Sequence, residues 1–190
     1  ITGIGESFCS GLFIEQFDSK SWDGNPITLI CEDIEKSECP VICALNGGAY
    51  GGAVEIASAC DFRIANNRLS LMVPAVQLGI HYEPSGIRRI LHLLGPSLTR
   101  KLLLLGEAIR FEQIRATDFV DFWAEENEQV VEKAKKVVNS FTHKAPLALN
   151  GMKKSITAIL NNSLDIETTR QQIKKCFDSD DHKEALLARK

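Results

Sequence analysis

The sequence predicts an α/β fold that ends in a helical region. Three observations predict it. Short apolar runs bounded by Gly or Pro alternate with helical patterns over roughly the first 125 residues. One of those runs passes through a glycine-rich turn directly into a helix. Beyond residue 125 the periodicity is helical throughout. Strands interleaved with helices, followed by helices alone, give an α/β core with a helical appendage.

The elements follow in order. Residues 4–8 and 40–45 are short apolar runs with the length and bounding residues of buried strands. Between them, residues 25–38 place Ile27, Ile30, Cys31 and Ile34 at helical spacing, and Pro40 stops the helix. Residues 46–52 (Asn-Gly-Gly-Ala-Tyr-Gly-Gly) form a turn, and residues 53–59 a helix. Residues 61–65 and 69–72 read as strands, 74–84 as a loop between two prolines, and 85–94 and 97–105 as helices. Residues 119–123 give a last strand. Helices follow at 126–141, 146–160, 163–177 and 180–189, with Asp118, Ser163 and Asp180 as caps or cap neighbours.

The chain has 190 residues, 44% hydrophobic and 25% charged, values of a globular chain with a sizeable core rather than a disordered one. Lys and Arg number 22 against 25 Asp and Glu, a net charge of -3 that speaks against a general nucleic-acid binder. The balance is uneven: residues 1–125 carry 10 basic and 16 acidic side chains, residues 126–190 carry 12 and 9. No apolar stretch reaches the roughly 18 residues of a membrane span, so no membrane partner is expected. The six cysteines fit neither a disulfide framework nor a zinc pattern, and Cys39 and Cys43 have no His or Cys partner nearby. That usage points to a reducing compartment, the cytoplasm or an organelle matrix whose targeting segment is absent, and not to secretion. The chain opens on Ile1 with no signal-type region, and a start inside a longer domain is expected.

The most informative stretch runs from Val41 to Glu55: buried strand, glycine turn, helix opening. A helix start presents unpaired N–H groups and the positive end of the dipole, a place for negative charge. The glycines at 47, 48, 51 and 52 do not fit G-x-G-x-x-G, and no Gly-Lys-Ser/Thr follows. No Ser or Cys sits at the turn to act as a nucleophile. An oxyanion hole with the Gly52 N–H as donor remains, beside the plain alternative of a tightly packed structural turn. Gly11 precedes a second short helical pattern over 12–17, so its following N–H groups are donors of the same kind.

These residues resemble the crotonase (enoyl-CoA hydratase/isomerase) family. The resemblance is carried by Gly5-Glu6-Ser7-Phe8-Cys9-Ser10-Gly11, by the block from Pro40 to Asp61 (PVICALNGGAYGGAVEIASACD), and by Leu78-Gly79 with Gly86. Lys144-Ala145-Pro146-Leu147-Ala148 and the stretch from Phe177 to Glu184 add to it, so it covers nearly the whole chain. The resemblance implies a crotonase-like spiral of β-β-α units over residues 1–125, part of its N-terminal portion missing, with residues 126–190 as a helical trimerisation and lid region. It further implies a homotrimer or dimer of trimers. The expected partner is an acyl-CoA thioester of fatty acid metabolism, its carbonyl held between the N–H groups of Leu12 and Gly52. Coenzyme A is then part of the substrate, and no separate cofactor or metal is expected. Ser10, Gly11, Gly48 and Phe177 are the expected CoA contacts.

Hydratases of the family resemble a two-carboxylate machine. Glu55 matches the first carboxylate, but the position of the second, in Val73-Pro74-Ala75-Val76-Gln77-Leu78-Gly79, is Ala75. Glu83, four residues after Gly79, is similar in place to the catalytic Glu of the peroxisomal-type Δ3,Δ2-enoyl-CoA isomerases. One carboxylate there can take a proton from C2 and return it to C4 while the oxyanion hole holds the dienolate. The expected activity is therefore an enoyl-CoA isomerase with Glu83 as acid/base, or alternatively a hydratase (a lyase) using Glu55 with Glu83. Tyr82 is similar in place to a Tyr of methylmalonyl-CoA decarboxylases and opens a decarboxylase reading. His81 is a further candidate base in the same loop. A non-catalytic homologue is the remaining rival, consistent with Ala75. Arg88 and Arg89 are expected at the surface or at a subunit contact.

Overall fold

The structure is a computed structural model and describes residues 1–12, 25–125 and 129–188. Its elements are α1 (Pro26–Lys36), β1 (Ile42–Leu45), β2 (Ala49–Tyr50), α2 (Gly52–Ala59), β3 (Phe62–Ala65) and β4 (Ser70–Met72). They continue with α3 (Pro84–Arg100), β5 (Ile109–Arg110), α4 (Phe111–Ile114) and β6 (Phe122–Trp123). The chain then runs through α5 (Val130–Asn139), α6 (Pro146–Leu160), α7 (Ile166–Phe177) and α8 (Asp180–Leu187).

The strands build two small sheets. One has the order β1-β3-β6, all parallel; the other has β2 parallel to β4 and β4 antiparallel to β5. Parallel neighbours need a crossover, and α2 supplies it between β1 and β3. The chain visits the first sheet, then the second, then a helix: β1-β2-α2, then β3-β4-α3. Thr2 bridges to Ala44 and Cys9 to Ala49, so the N-terminal residues lie along both sheets as an earlier turn of the same spiral.

Side-chain alternation explains why β1 is buried on both faces. Cys43 and Leu45 point into the main core with Val54, Ile90 and Phe119. Ile42 and Ala44 point the other way, with Ile64, into a second cluster closed by Val130 and Ala134 of α5. Arg63 knits β3 to the segment before β6: its Nε donates to the Phe119 carbonyl at 2.6 Å and its Nη2 to Asp121 at 2.8 Å.

Several expected elements change in extent. Residues 4–8 do not form a strand; Ile4 is fully exposed, and only the Thr2 and Cys9 bridges remain. Asn46 is the reason. Its Oδ1 accepts from Gly3 N–H, and its Nδ2 donates to the Gly5 and Ser7 carbonyls, so the segment turns around one side chain. The last strand is confined to β6, because the Phe119 carbonyl is taken by Arg63. The loop between Pro74 and Pro84 holds a 3-10 turn, Ala75–Leu78. The two helices expected at 85–94 and 97–105 are α3, broken at Gly95 just before Pro96, and a π-helical turn, Lys101–Leu105. α7 is capped by Asp165 rather than Ser163, and α8 by Ser179. The helical pattern at 12–17 lies outside the described residues beyond Leu12. No described helix is long and apolar enough to cross a membrane.

Candidate active site

Two backbone turns meet at the edge of the second sheet. Phe8 N–H and Cys9 N–H donate to the Gly48 carbonyl, and Tyr50 N–H donates to the Cys9 carbonyl at 3.1 Å. These bonds lay Ser10-Gly11-Leu12 against Tyr50-Gly51. A side chain on Gly11 would reach the Tyr50 carbonyl at 3.4 Å, and one on Gly51 would touch the Gly11 Cα at 4.0 Å. Gly51 has φ +59° and ψ -128°, a backbone that L side chains rarely adopt, and it caps the start of α2. Its own N–H donates to the Met72 carbonyl at 2.8 Å, fixing the turn to β4.

The turns open on a cavity of about 610 Å³. Leu12, Gly52, Glu55, His81, Tyr82 and Glu83 all line it, as do Ser10 and Gly11. Gly52 is the first residue of α2, where N–H groups lack intrahelical acceptors and the helix dipole is positive. Asn25, Ile27, Val73, Pro74, Leu78 and Ile80 complete a largely apolar wall, and Ala75 lies among them. Of these wall residues, Asn25, Val73, Pro74 and Ile80 carry no site expectation from the sequence. The wall comes from two segments, residues 25–27 and 73–80, and only the tertiary fold brings them together.

Glu55 is 2% exposed. Its Oε1 accepts from Arg89 Nη1 at 2.8 Å, while Oε2 lies toward Gly86, where a side chain would come within 2.5 Å of it. Burial raises the Glu55 carboxyl above the ordinary range; the Arg89 cation works against this and the charges of Glu83 and Glu35 reinforce it. Glu83 is half-buried at the start of α3. Among the described residues its carboxylate has no hydrogen-bond or ion-pair partner. The Tyr82 hydroxyl donates to the Gly51 carbonyl at 3.3 Å, and burial pushes the phenol well above its usual range. His81 is exposed at the rim, with Nδ1 2.8 Å from the Tyr82 carbonyl and therefore carrying the proton there.

One expectation is corrected, and two candidate CoA contacts lie away from this cavity. Arg89 is not a surface residue: it is 6% exposed and binds Glu55 and Glu35 together. Its signal was legible, because Gly86, Arg89, Ile90 and Leu94 form the buried stripe of α3 at helical spacing. Gly48 is buried and does not line the cavity; its carbonyl holds the first turn in place. Phe177 is 63% exposed and stacks edge-on against His182 in a separate groove between α6, α7 and α8. Within one chain it does not reach the cavity. Among the described residues no group of three His, Cys, Asp or Glu is placed to hold a metal ion.

The family model for enoyl-CoA hydratase/isomerase matches residues 1–190. A short-chain-enoyl-CoA hydratase from Clostridium acetobutylicum is 29% identical over 196 aligned residues, covering 99% of this chain and 75% of the relative. Among solved structures, an enoyl-CoA hydratase/isomerase family protein from Hyphomonas neptunium superimposes with a TM-score of 0.87 at 26% identity, over 98% of this chain and 74% of that one. An enoyl-CoA hydratase from Bacillus anthracis gives 0.81 at 28% identity, over 98% and 75%.

Proposed function

The chain belongs to the enoyl-CoA hydratase/isomerase family and is an acyl-CoA enzyme of that family; from this premise we propose that its reaction is Δ3,Δ2-enoyl-CoA isomerisation with Glu83 as the acid/base. The observation that carries this reading is the contrast between the two carboxylates of one cavity. Glu83 has no protein partner among the described residues, whereas Glu55 is held by Arg89. A group that must take a proton at one carbon and return it two carbons away needs that freedom.

In this mechanism the thioester carbonyl oxygen sits between the N–H groups of Leu12 and Gly52. The positive end of α2 favours the charge that develops there. Glu83 removes a proton from C2 of the 3-enoyl chain, and the electrons move onto the carbonyl oxygen as a dienolate. Reprotonation at C4 by the same carboxyl leaves the C2–C3 double bond. Ser10 and Gly11 border the thioester end, the apolar wall receives the acyl chain, and CoA enters as part of the substrate.

A second reading, hydration of a 2-enoyl-CoA by Glu55 with Glu83, is favoured by the placement of both carboxylates in one cavity. Turnover of 3-enoyl- and 2-enoyl-CoA by Glu83→Gln and Glu55→Gln variants separates the two. Glu83→Gln is expected to lower isomerisation by about 100-fold or more, and Glu55→Gln to cost more in hydration than in isomerisation. A Glu83→Gln variant with full isomerase activity overturns the assignment. The exposed Ile166, Ile173, Phe177, Leu186 and Leu187 of α7 and α8 support a homotrimer or dimer of trimers, in which further copies cover these helices.

A further inference from the structure

We propose that Arg89, gripped by Glu35, is the positioning residue for Glu55: it selects which carboxylate oxygen faces the cavity and sets the balance between the charged and neutral forms of Glu55. This rests on the functional reading above for its catalytic consequence. Neither Arg89 nor Glu35 lines the cavity, so both act through Glu55.

The geometry is a shared cation. Arg89 gives two donors to Glu35, Nε to Oε1 at 2.7 Å and Nη2 to Oε2 at 3.0 Å, and one to Glu55, Nη1 to Oε1 at 2.8 Å. The side chains of Arg89, Glu55 and Glu35 are 5%, 3% and 14% exposed, so solvent screens this triad weakly. One guanidinium between two carboxylates leaves a net negative triad. The bidentate grip belongs to Glu35, and Glu55 receives what remains. That single bond occupies Oε1 and leaves Oε2 toward Gly86 and Tyr82, of which Tyr82 lines the cavity together with Glu55. Glu35 is itself braced from the helical region: Asn161, which ends α6, donates to its Oε2 at 3.5 Å and accepts from Arg88 at 2.7 Å.

The groups that bear on Glu55 come from three segments. α1 contributes Glu35 and the buried Cys31 thiol; the segment before α3 contributes Tyr82 and Glu83; α3 contributes Arg89. Removing the Glu35 charge acts in one direction by two routes. It deletes a repulsion on the Glu55 anion and frees the whole guanidinium for it, and both favour the charged form. Removing the Arg89 charge acts in the opposite direction.

The test compares Glu35→Gln, Arg89→Gln and Arg89→Lys in the whole chain by two readouts. The first is the pH profile of turnover on the acyl-CoA that the wild type accepts. The second is the titration of the Glu55 carboxyl, followed by NMR of ¹³C-labelled protein without substrate and assigned with Glu55→Gln. The titration of Glu55, and the pH limb it governs, are expected to move to lower pH in Glu35→Gln and to higher pH in Arg89→Gln, with Arg89→Lys in between. For hydration of a 2-enoyl-CoA, kcat is expected to fall about 100-fold in Arg89→Gln with KM changed by less than about threefold, and isomerisation of a 3-enoyl-CoA is expected to fall no further than in Glu55→Gln. Displacements in the same direction, or none in proteins with wild-type circular dichroism, overturn the proposal. If Arg89→Gln does not fold, the Glu35→Gln titration alone decides, since a Glu55 that stays put or moves upward refutes the shared cation. If the wild type turns over no acyl-CoA, the functional reading fails and the NMR titration still decides this one.

Discussion

The hydroxyl of Tyr82 donates to the carbonyl of Gly51 at 3.3 Å, the same peptide unit whose N–H belongs to Gly52. Val54 N–H donates to that carbonyl as well, at 3.1 Å. The two donors fix the peptide plane, and in a trans peptide the opposite edge carries the Gly52 N–H. Polarising the carbonyl strengthens the amide as a donor. Tyr82→Phe is therefore expected to lower kcat by about three- to tenfold, the range of one net hydrogen bond, with little change in melting temperature. Because burial holds the phenol protonated, its loss should leave the shape of the pH profile unchanged. A Tyr82→Phe enzyme with wild-type kcat would show that the Val54 bond alone suffices.

Glu55 makes a prediction about stability. Its carboxyl is raised above 4.5 in the folded protein, so the folded state holds that proton more tightly than the unfolded one. Stability from this group is therefore present while Glu55 is protonated. It is lost as pH rises from about the unfolded value through the folded one. At neutral pH the wild type carries that penalty, and Glu55→Gln does not. The glutamine keeps an oxygen for Arg89 Nη1, and Arg89 keeps both bonds to Glu35. Glu55→Gln is expected to melt a few degrees higher than wild type at pH 7, at about 2–4 °C per kcal/mol, with the difference vanishing below pH 4.5. Paired melting curves from pH 4 to 8 measure it; a Glu55→Gln that melts lower at pH 7 contradicts it.

The strand, glycine turn and helix from Val41 to Glu55 were legible because each residue reports on local backbone. Burial gives β1, the glycines give the turn, and small residues give α2. The carboxylates of the cavity were legible only by resemblance, since spacing does not say that residues 55 and 83 share a wall. The segment 4–8 misled because its apolar residues looked like a strand, whereas Asn46, some forty residues later, takes its backbone groups. Arg89 was missed for a related reason. A cation on an amphipathic helix is normally solvated, and what buries it is a pair of acids on two other helices.

Lys153 gives the clearest case of a charge that holds the helical region to the core. Its Nζ pairs with Asp61 at 2.8 Å and donates to the Ile34 and Cys39 carbonyls at 3.0 Å each, with the side chain 4% exposed. Asp61 in turn accepts from Val41 N–H at 2.6 Å. These bonds make Lys153 a clip between α6, the end of α1 and the start of β3. Lys153→Met leaves a part-buried carboxylate and two carbonyls without their cation. It is expected to cost about 3 kcal/mol in denaturant unfolding. Lys154→Met, whose 3.8 Å pair with Glu38 is solvent-exposed, should cost less than about 0.5 kcal/mol. Equal effects of the two substitutions would remove the clip.

Ala75 provides the sharpest chemical test. It lines the cavity in the 3-10 turn after Pro74, at the position that, by resemblance, holds the second Glu of the family's hydratases. Water addition needs one group to activate water and another to protonate the α-carbon; in the isomerase reading Glu83 serves the proton transfer, and Glu55, tied by Arg89, is the one carboxylate left for water. If the missing carboxylate is what confines the enzyme to proton transfer by Glu83, restoring it should open the second reaction. Ala75→Glu is expected to raise hydration of a 2-enoyl-CoA by about tenfold or more, the lower end of what one acid/base group contributes, without raising isomerisation of a 3-enoyl-CoA. Rates on both substrates, each measured with and without an added Glu83→Gln, read this directly. Hydration already as fast in the wild type as in Ala75→Glu would assign the water chemistry to Glu55 and Glu83 and make the hydratase reading the correct one.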